Sequence, residues 1–219
     1  MKVETVTLEG ENVRLEPLSL EHLEELCKVG LDEDLWRWGL SMIRMREDME
    51  AYIKSALRGY VQGRDLPFAT IDKKTGKVVG STRFGNIDVE NRRAEIGWTW
   101  IGRDWQRTII NTSAKYLMLC HAFETWNCVR VELKTDSLNE RSRNAILRIG
   151  AKEEGILRNH FITYTGRFRH SVYLELAQDS LYHPLWDLEG NVGRCRRRRA
   201  FKRRFKPLNQ SPVGFRCIA

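Results

Sequence analysis

With 219 residues, 42% of them hydrophobic, the chain can bury one substantial core and carry an appendage besides. No apolar run approaches the roughly 20 residues of a membrane-spanning helix, and Met1-Lys2-Val3-Glu4-Thr5 lacks the hydrophobic stretch of a signal peptide. The net charge of +8 is a poor guide to partners, because ten Lys or Arg and no Asp or Glu fall within residues 191–219, leaving residues 1–190 close to neutral.

The five cysteines, Cys27, Cys120, Cys128, Cys195 and Cys217, are odd in number, widely scattered and without metal-ligand spacing. They read as reduced thiols in a cytoplasmic protein that binds no metal.

Taken in order, Val13-Arg14-Leu15-Glu16-Pro17 alternates apolar and polar residues and stops at a proline, as a short strand does. Ser19 offers an N-cap, and Leu20, Leu23, Leu26 and Cys27 make the apolar face of a first helix. A loop from about Gly30 to Met45 is rich in Trp36, Trp38, Met42 and Met45. Met49, Tyr52, Ile53, Ala56 and Leu57 then fall at helical spacing, and Gly59 marks the expected end of a second helix.

From Pro67 the period changes to two. Phe68-Ala69-Thr70-Ile71 and the run Val78 to Phe84 flank a hairpin turn at Asp72 to Lys77, and Arg93 to Ile101 supplies a third antiparallel member. Simple alternation in that third strand sends Ile96, Trp98 and Trp100 to one face and Glu95, Gly97 and Thr99 to the other. Gly97 marks a place where something approaches the backbone closely.

Trp105-Gln106-Arg107-Thr108-Ile109-Ile110-Asn111-Thr112-Ser113-Ala114-Lys115 joins this strand to a helix-like run from Asn111 to Trp126. The first backbone N–H groups of a helix lack internal partners and sit at the positive end of its dipole. Thr112, Ser113 and Ala114 place no carboxylate there, so the junction suits an anion such as a coenzyme diphosphate. On these residues alone, an ordinary strand-to-helix turn is the alternative.

Val129, Val131, Leu133 and Thr135 alternate as a further strand, and Asn139 caps a helix running to Ile149. Ile156 to Thr163 and Phe168 to Leu176 form a last hairpin around Thr165-Gly166. The order β, α, α, three β, α, β, α, two β predicts an α/β sandwich with a mixed sheet.

Five stretches in this order resemble the GNAT superfamily of N-acetyltransferases. They are Glu95-Ile96-Gly97-Trp98, the junction Trp105 to Lys115, His121-Ala122-Phe123-Glu124, Arg130-Val131-Glu132-Leu133, and Asn139-Glu140-Arg141-Ser142 followed by Gly150 to Arg158. They are similar to the branch that holds the ribosomal-protein acetyltransferases of the RimJ/RimL type, and the resemblance spans about Leu8 to Ala177. It implies the GNAT (acyl-CoA N-acyltransferase) fold, a mixed, mostly antiparallel twisted sheet flanked by helices. Residues 1–177 would form this domain, 178–190 a linker or docking segment, and 191–219 a basic tail expected to be disordered.

The implied activity is transfer of an acetyl group from acetyl-CoA directly to a primary amine, a protein N-terminus or a small molecule. By this resemblance, Trp98, Thr99, Trp100 and Ile101 lie where the strand splays from its neighbour and leaves N–H groups for the pantetheine and the thioester carbonyl. Gln106, Arg107, Thr108, Ile109, Ile110, Asn111 and Thr112 surround the diphosphate, Asn139 hydrogen-bonds the pantetheine arm, and Ser142 lies near the sulfur. Glu95 is the candidate base that deprotonates the amine, with a solvated strand-face glutamate as the alternative. No tyrosine occurs from Asn139 to Gly150, so Ser142, or water, would protonate the departing thiolate. Trp36, Trp38 and Met42 are candidates to wall the acceptor site, and His121 reads as a packed histidine.

One departure stands out. The superfamily's diphosphate loop reads Gln/Arg-x-x-Gly-x-Gly/Ala, and here Ile109 and Asn111 occupy the two small positions. Asn111 tolerates left-handed geometry, but a β-branched residue at Ile109 does not. A non-catalytic GNAT module with impaired coenzyme binding is therefore a rival reading. The basic tail adds another, contact with RNA, the ribosome or an anionic surface, and the protein is expected to be a monomer or homodimer.

Overall fold

Apolar–polar alternation from Leu66 onward gives three successive antiparallel strands, and the computed structural model, which describes residues 1–177, extends them into an eight-stranded sheet. Its order is β1-β2-β3-β4-β5-β6-β8-β7, with β1 Leu8–Glu9, β2 Val13–Pro17, β3 Leu66–Asp72, β4 Val78–Asp88, β5 Arg93–Ile101, β6 Arg130–Asp136, β7 Lys152–Ile162 and β8 Phe168–Leu176. Every neighbouring pair is antiparallel except β5 and β6, which run parallel. The predicted mixed, mostly antiparallel α/β sandwich is the architecture found. The readings made for 178–190 and for the 191–219 tail lie outside the described residues.

Helices α1 Leu23–Gly30 and α2 Arg46–Val61 cover one face, and α3 Ile109–Cys120 and α4 Glu140–Arg148 cover the other. Each face has its own core. Leu26, Met49, Ile53, Ala69 and Trp100 pack beneath α1 and α2, whereas Phe68, Phe84, Ile96, Met118, Leu133 and Leu174 pack beneath α3 and α4. Helix α2 runs past Gly59, which accommodates a neighbour instead of ending the helix. A Cβ there would lie 2.2 Å from Oδ2 of Asp65. At the other end Asp48 Oδ2 accepts from the N–H groups of Arg44 and Met45, at 2.9 and 3.2 Å.

Strand β5 departs from simple alternation. Arg83 faces Gly97 and Ser81 faces Trp100, so β5 holds one residue more than β4 across the same span, and Trp98 takes φ +48. Such a bulge reverses side-chain direction beyond it. Ile96 therefore packs under α3, while Trp100 packs under α2 against Trp36 and Tyr52, with ring centroids 5.4 and 6.5 Å away. This corrects the expectation that Ile96, Trp98 and Trp100 share a face.

Helix α3 begins at Ile109, two residues before the expected start, with Thr108 as its N-cap. Beyond Cys120 the chain makes one π-helical turn, His121–Thr125. Among the described residues no helix is long and apolar enough to cross a membrane, and Cys27, Cys120 and Cys128 are free thiols.

Candidate active site

The fork between β5 and β6 organises the site. The two strands pair from Arg93–Arg130 through Glu95–Glu132 and no further, although β5 continues to Ile101 and β6 to Asp136. Beyond Glu95, then, β5 pairs only with β4, and its other edge faces the opening. Those unpaired backbone groups can hydrogen-bond an extended ligand lying in the gap.

The loop after β5 brings the start of α3 to this opening. Gly102 N–H donates to Val79 O at 2.8 Å, and the Trp105 indole donates to Asp72 Oδ2 at 3.1 Å, pinning the loop to the β3–β4 hairpin. The Gln106 amide donates to Ile101 O at 3.0 Å, and its oxygen accepts from Arg141 at 2.6 Å, linking β5 to α4. The positive φ falls on Arg107, at +62, while Ile109 is the first helical residue and so adopts an ordinary conformation. The expected strain at Ile109 is absent.

Thr108 Oγ1 accepts from Ile110 N–H at 3.4 Å, and no acidic residue sits in the first turn of α3. A cleft of about 330 Å³ opens there, lined by Gln106, Arg107 and Arg141 on one side and by Asp32, Asp34, Leu35 and Arg103 on the other. Arg103 is neutralised by Asp32 at 2.8 Å and Asp34 at 2.8 Å. Helix N–H groups with Arg107 and Arg141 beside them fit a diphosphate. Two of the residues assigned to this site turn elsewhere with their side chains. Thr112 accepts from Arg148 at 2.8 Å, and Ile110 is buried in the core.

Glu95 stands at the fork and is 5% exposed, so it is no solvated surface glutamate. Its Oε2 accepts from Asn86 Nδ2 at 2.6 Å and lies 2.7 Å from Lys134 Nζ. Its Oε1 lies beside Gly97, where a Cβ would come within 3.0 Å of it. The close approach signalled by Gly97 is thus that of the Glu95 carboxylate itself. Burial pulls the Lys134 ammonium down, but the charge and hydrogen bond of Glu95, with Tyr173, outweigh it and hold the amine above its ordinary value.

On the opposite face of β5, Thr99 Oγ1 lies 2.7 Å from Thr82 Oγ1 and accepts from Lys115 Nζ at 2.5 Å. Burial alone brings the Lys115 amine down to about 7, against a weaker upward pull from Glu95. On α4, Asn139 Oδ1 accepts from Ser142 N–H at 3.1 Å. Asn139 is thus the N-cap of α4, and Ser142 sits in its first turn. His121 packs between Phe84 and Trp126, and burial drops its imidazole to about 4, in keeping with a packed histidine.

The three acceptor-wall candidates separate. Trp36 is 7% exposed, donates its indole N–H to Gly30 O at 2.8 Å, and belongs to the core, as does the packing of Met42. Trp38 alone of the three reaches the far sheet, where Arg167 lies 5.8 Å from its ring. Trp98 presents its ring to the α2 side, 4.7 Å from the Arg83 guanidinium, and its carbonyl accepts from Tyr52 at 3.2 Å. No local pattern marks Lys134, Asn86 or Lys115, because each meets its partner on β5 only once the sheet and α3 are assembled.

A family profile described as an acetyltransferase (GNAT) domain matches residues 12–152. The chain belongs to the GNAT family of acetyltransferases. It is 27% identical over 158 residues to "Uncharacterized N-acetyltransferase p20" of Bacillus licheniformis, covering 70% of this chain and 86% of that one. It is 32% identical over 114 residues to "Putative ribosomal N-acetyltransferase YdaF" of Bacillus subtilis, covering 52% and 58%. A GCN5-related N-acetyltransferase from Brucella melitensis superposes with a TM-score of 0.76 at 31% identity, covering 82% of each chain. The GNAT fold and the ribosomal-type relatives expected from the five stretches are what these matches carry.

Proposed function

We propose that this protein transfers the acetyl group of acetyl-CoA directly to a primary amine within a ternary complex. The observation that carries this reading is the fork itself. Strand β5 leaves β6 at Glu95, and the acid-free start of α3 sits at the same opening. Acetyl-CoA supplies a thioester. Gln106, Arg107, Thr108 and the N–H groups of Ile109, Ile110 and Asn111 hold its diphosphate, and the free edge of Trp98, Thr99, Trp100 and Ile101 receives the pantetheine and polarises the carbonyl. The Asn139 carboxamide braces the arm.

In the transfer, the amine nitrogen forms a bond to the acetyl carbon while the carbon–sulfur bond breaks. The nitrogen must first lose a proton, and Glu95 Oε1 is the base that takes it, since Oε2 is already occupied by Asn86 and Lys134. The departing thiolate is protonated by the Ser142 hydroxyl or by water. Trp38 walls the acceptor side. The reaction suits the cytoplasm, where free thiols such as Cys27 and Cys128 persist. The name of the Bacillus subtilis relative makes a protein N-terminus one acceptor to test and small amines the other. Calorimetry with acetyl-CoA, followed by a thiol-release assay, tests the reading. Binding with acceptor-dependent thiol release is expected, and no heat at millimolar acetyl-CoA overturns it.

A further inference from the structure

Among the described residues, the core beneath α1 and α2 takes no side chain from β6, β7 or β8, whose face on the α2 side is polar. There the side chains of Lys134, Asp136, Ser171, Tyr173 and Arg169 share one face with Glu95, because Val131, Leu133, Val172 and Leu174 point into the core beneath α3 and α4. Polar groups on such a face must be satisfied by each other or by something that enters. The acids are already matched. Glu95 is held by Lys134 at 2.7 Å, and Asp136 accepts from Arg167 and from the N–H of Leu138.

Arg169 is left over. Among the described residues it has no ion-pair partner within salt-bridge distance, its one side-chain hydrogen bond is a long one of 3.5 Å to Trp38 O, and its buried Nε meets no acceptor. Burial, the first cause, pulls the guanidinium below its ordinary value against the upward pull of the Asp136 and Glu95 charges, and the nearby Arg167 adds to the fall. Two other buried polar atoms in the same neighbourhood are also unsatisfied, His160 Nδ1 and Ser171 Oγ. His160 reaches this face through the bulge between Leu157 and Phe161, with its ring 5.6 Å from that of Tyr173. It also lines an open groove of about 880 Å³ along β7, so the cluster adjoins a route to solvent.

We infer that this cluster is a carboxylate-binding subsite of the acceptor pocket, so that the amine acetylated at Glu95 carries its own carboxylate, as a free amino acid does. The inference rests on the acetyltransferase reading and narrows its acceptor. A guanidinium held by only one long hydrogen bond, to the Trp38 carbonyl, is the group best shaped to take a carboxylate through two parallel hydrogen bonds. The His160 ring, which borders the groove, supplies a further donor. A peptide N-terminus, whose neighbouring carbonyl is an amide, would leave Arg169 charged and unpaired on binding.

The test pairs free L-amino acids with the corresponding amino-acid amides as acceptors at saturating acetyl-CoA. With the wild-type protein, kcat/KM for the best acid should exceed that for its amide by about 10- to 100-fold. In Arg169→Gln that ratio should fall to about one, and Arg169→Lys should restore part of it. Because a ratio is read within each variant, partial misfolding does not distort it. Equal turnover of acids and amides by the wild type overturns the proposal, as does turnover of peptides alone. Should acetyl-CoA bind in calorimetry while no amino acid is acetylated, the carboxylate subsite falls and the coenzyme reading stands. Should acetyl-CoA not bind, both fall.

Discussion

The Lys134 ammonium lies 2.7 Å from Glu95 Oε2, and both side chains are almost wholly withdrawn from solvent. Removing one partner of such a pair strands the other charge, whereas removing both does not. Glu95→Gln should therefore destabilise the protein by about 3 kcal/mol, and Glu95→Gln/Lys134→Met should recover most of that loss. Thermal denaturation reads the stability. If the carboxylate is the base, the double variant stays folded yet loses the rate; a double variant with wild-type rate and an unchanged basic limb in its pH–rate profile removes Glu95 from the chemistry.

Lys115 bears on stability in the alkaline range. Its folded value of about 7 lies below the 10.5 of a free lysine, so between those two values the unfolded chain holds a proton that the folded one does not. Stability must then rise as the pH climbs from about 7 to about 10.5, with a slope of up to about 1.4 kcal/mol per pH unit from this group. Below 7 both states are protonated and the slope vanishes. Lys115→Met should flatten the rise, as seen in urea midpoints at pH 7 and pH 9.5, and a wild-type midpoint independent of pH would contradict it.

Gly80 sits where β4 meets the far end of β5. A Cβ there would fall 2.2 Å from Trp100 O and 3.0 Å from Ile101 Cα, both backbone atoms that cannot swing aside. Gly80→Ala should cost about 3 kcal/mol or more, and with it the shape of the coenzyme edge. Gly63→Ala, where nothing lies within 4 Å of the added carbon, meets only the cost of its positive φ and gives a smaller loss. Comparing the two melting temperatures checks the ranking.

Arg107 and Arg141 line the cleft without carboxylate partners among the described residues, whereas Arg103 in the same cleft is tied to Asp32 and Asp34. Arg107→Ala and Arg141→Ala should each weaken acetyl-CoA binding by about 3- to 10-fold, more at low salt than at high. Arg103→Ala should leave the affinity within about twofold. Calorimetric titration at two ionic strengths separates these outcomes.

Local signals carried far in this chain. Period-two runs locate β3, β4 and β5, Asn139 is recognisable as a cap, and the lack of acids after Asn111 is plain from the residues alone. What escaped was of two kinds. Trp98-Thr99-Trp100 fits plain alternation so well that the extra residue is visible only against β4, whose spacing across the pair a single strand does not record. The start of α3 at Ile109 also escapes, since Thr108 and Asn111 are both residue types that cap helices and the apolar Ile109 and Ile110 between them read equally as loop. Trp36 and Trp38 are two residues apart in one aromatic loop, yet one is core against Trp100 and the other sets its ring between Arg37 and Arg167, a distinction made by partners distant in the chain.

The single extra residue in β5 makes that strand serve two masters. Before it, even-numbered side chains fill the compartment under α3; after it, odd-numbered ones do, with Thr99 turned to Lys115 and Ile101 to the core. Removing one residue between Gly97 and Thr99 would restore plain pairing with β4, leaving Trp100 opposite Ser81 under α2 and Thr99 turned to Lys115. What the extra residue adds is the outward backbone turn at Trp98, whose ring stands 43% exposed beside Arg83 and whose carbonyl accepts from Tyr52.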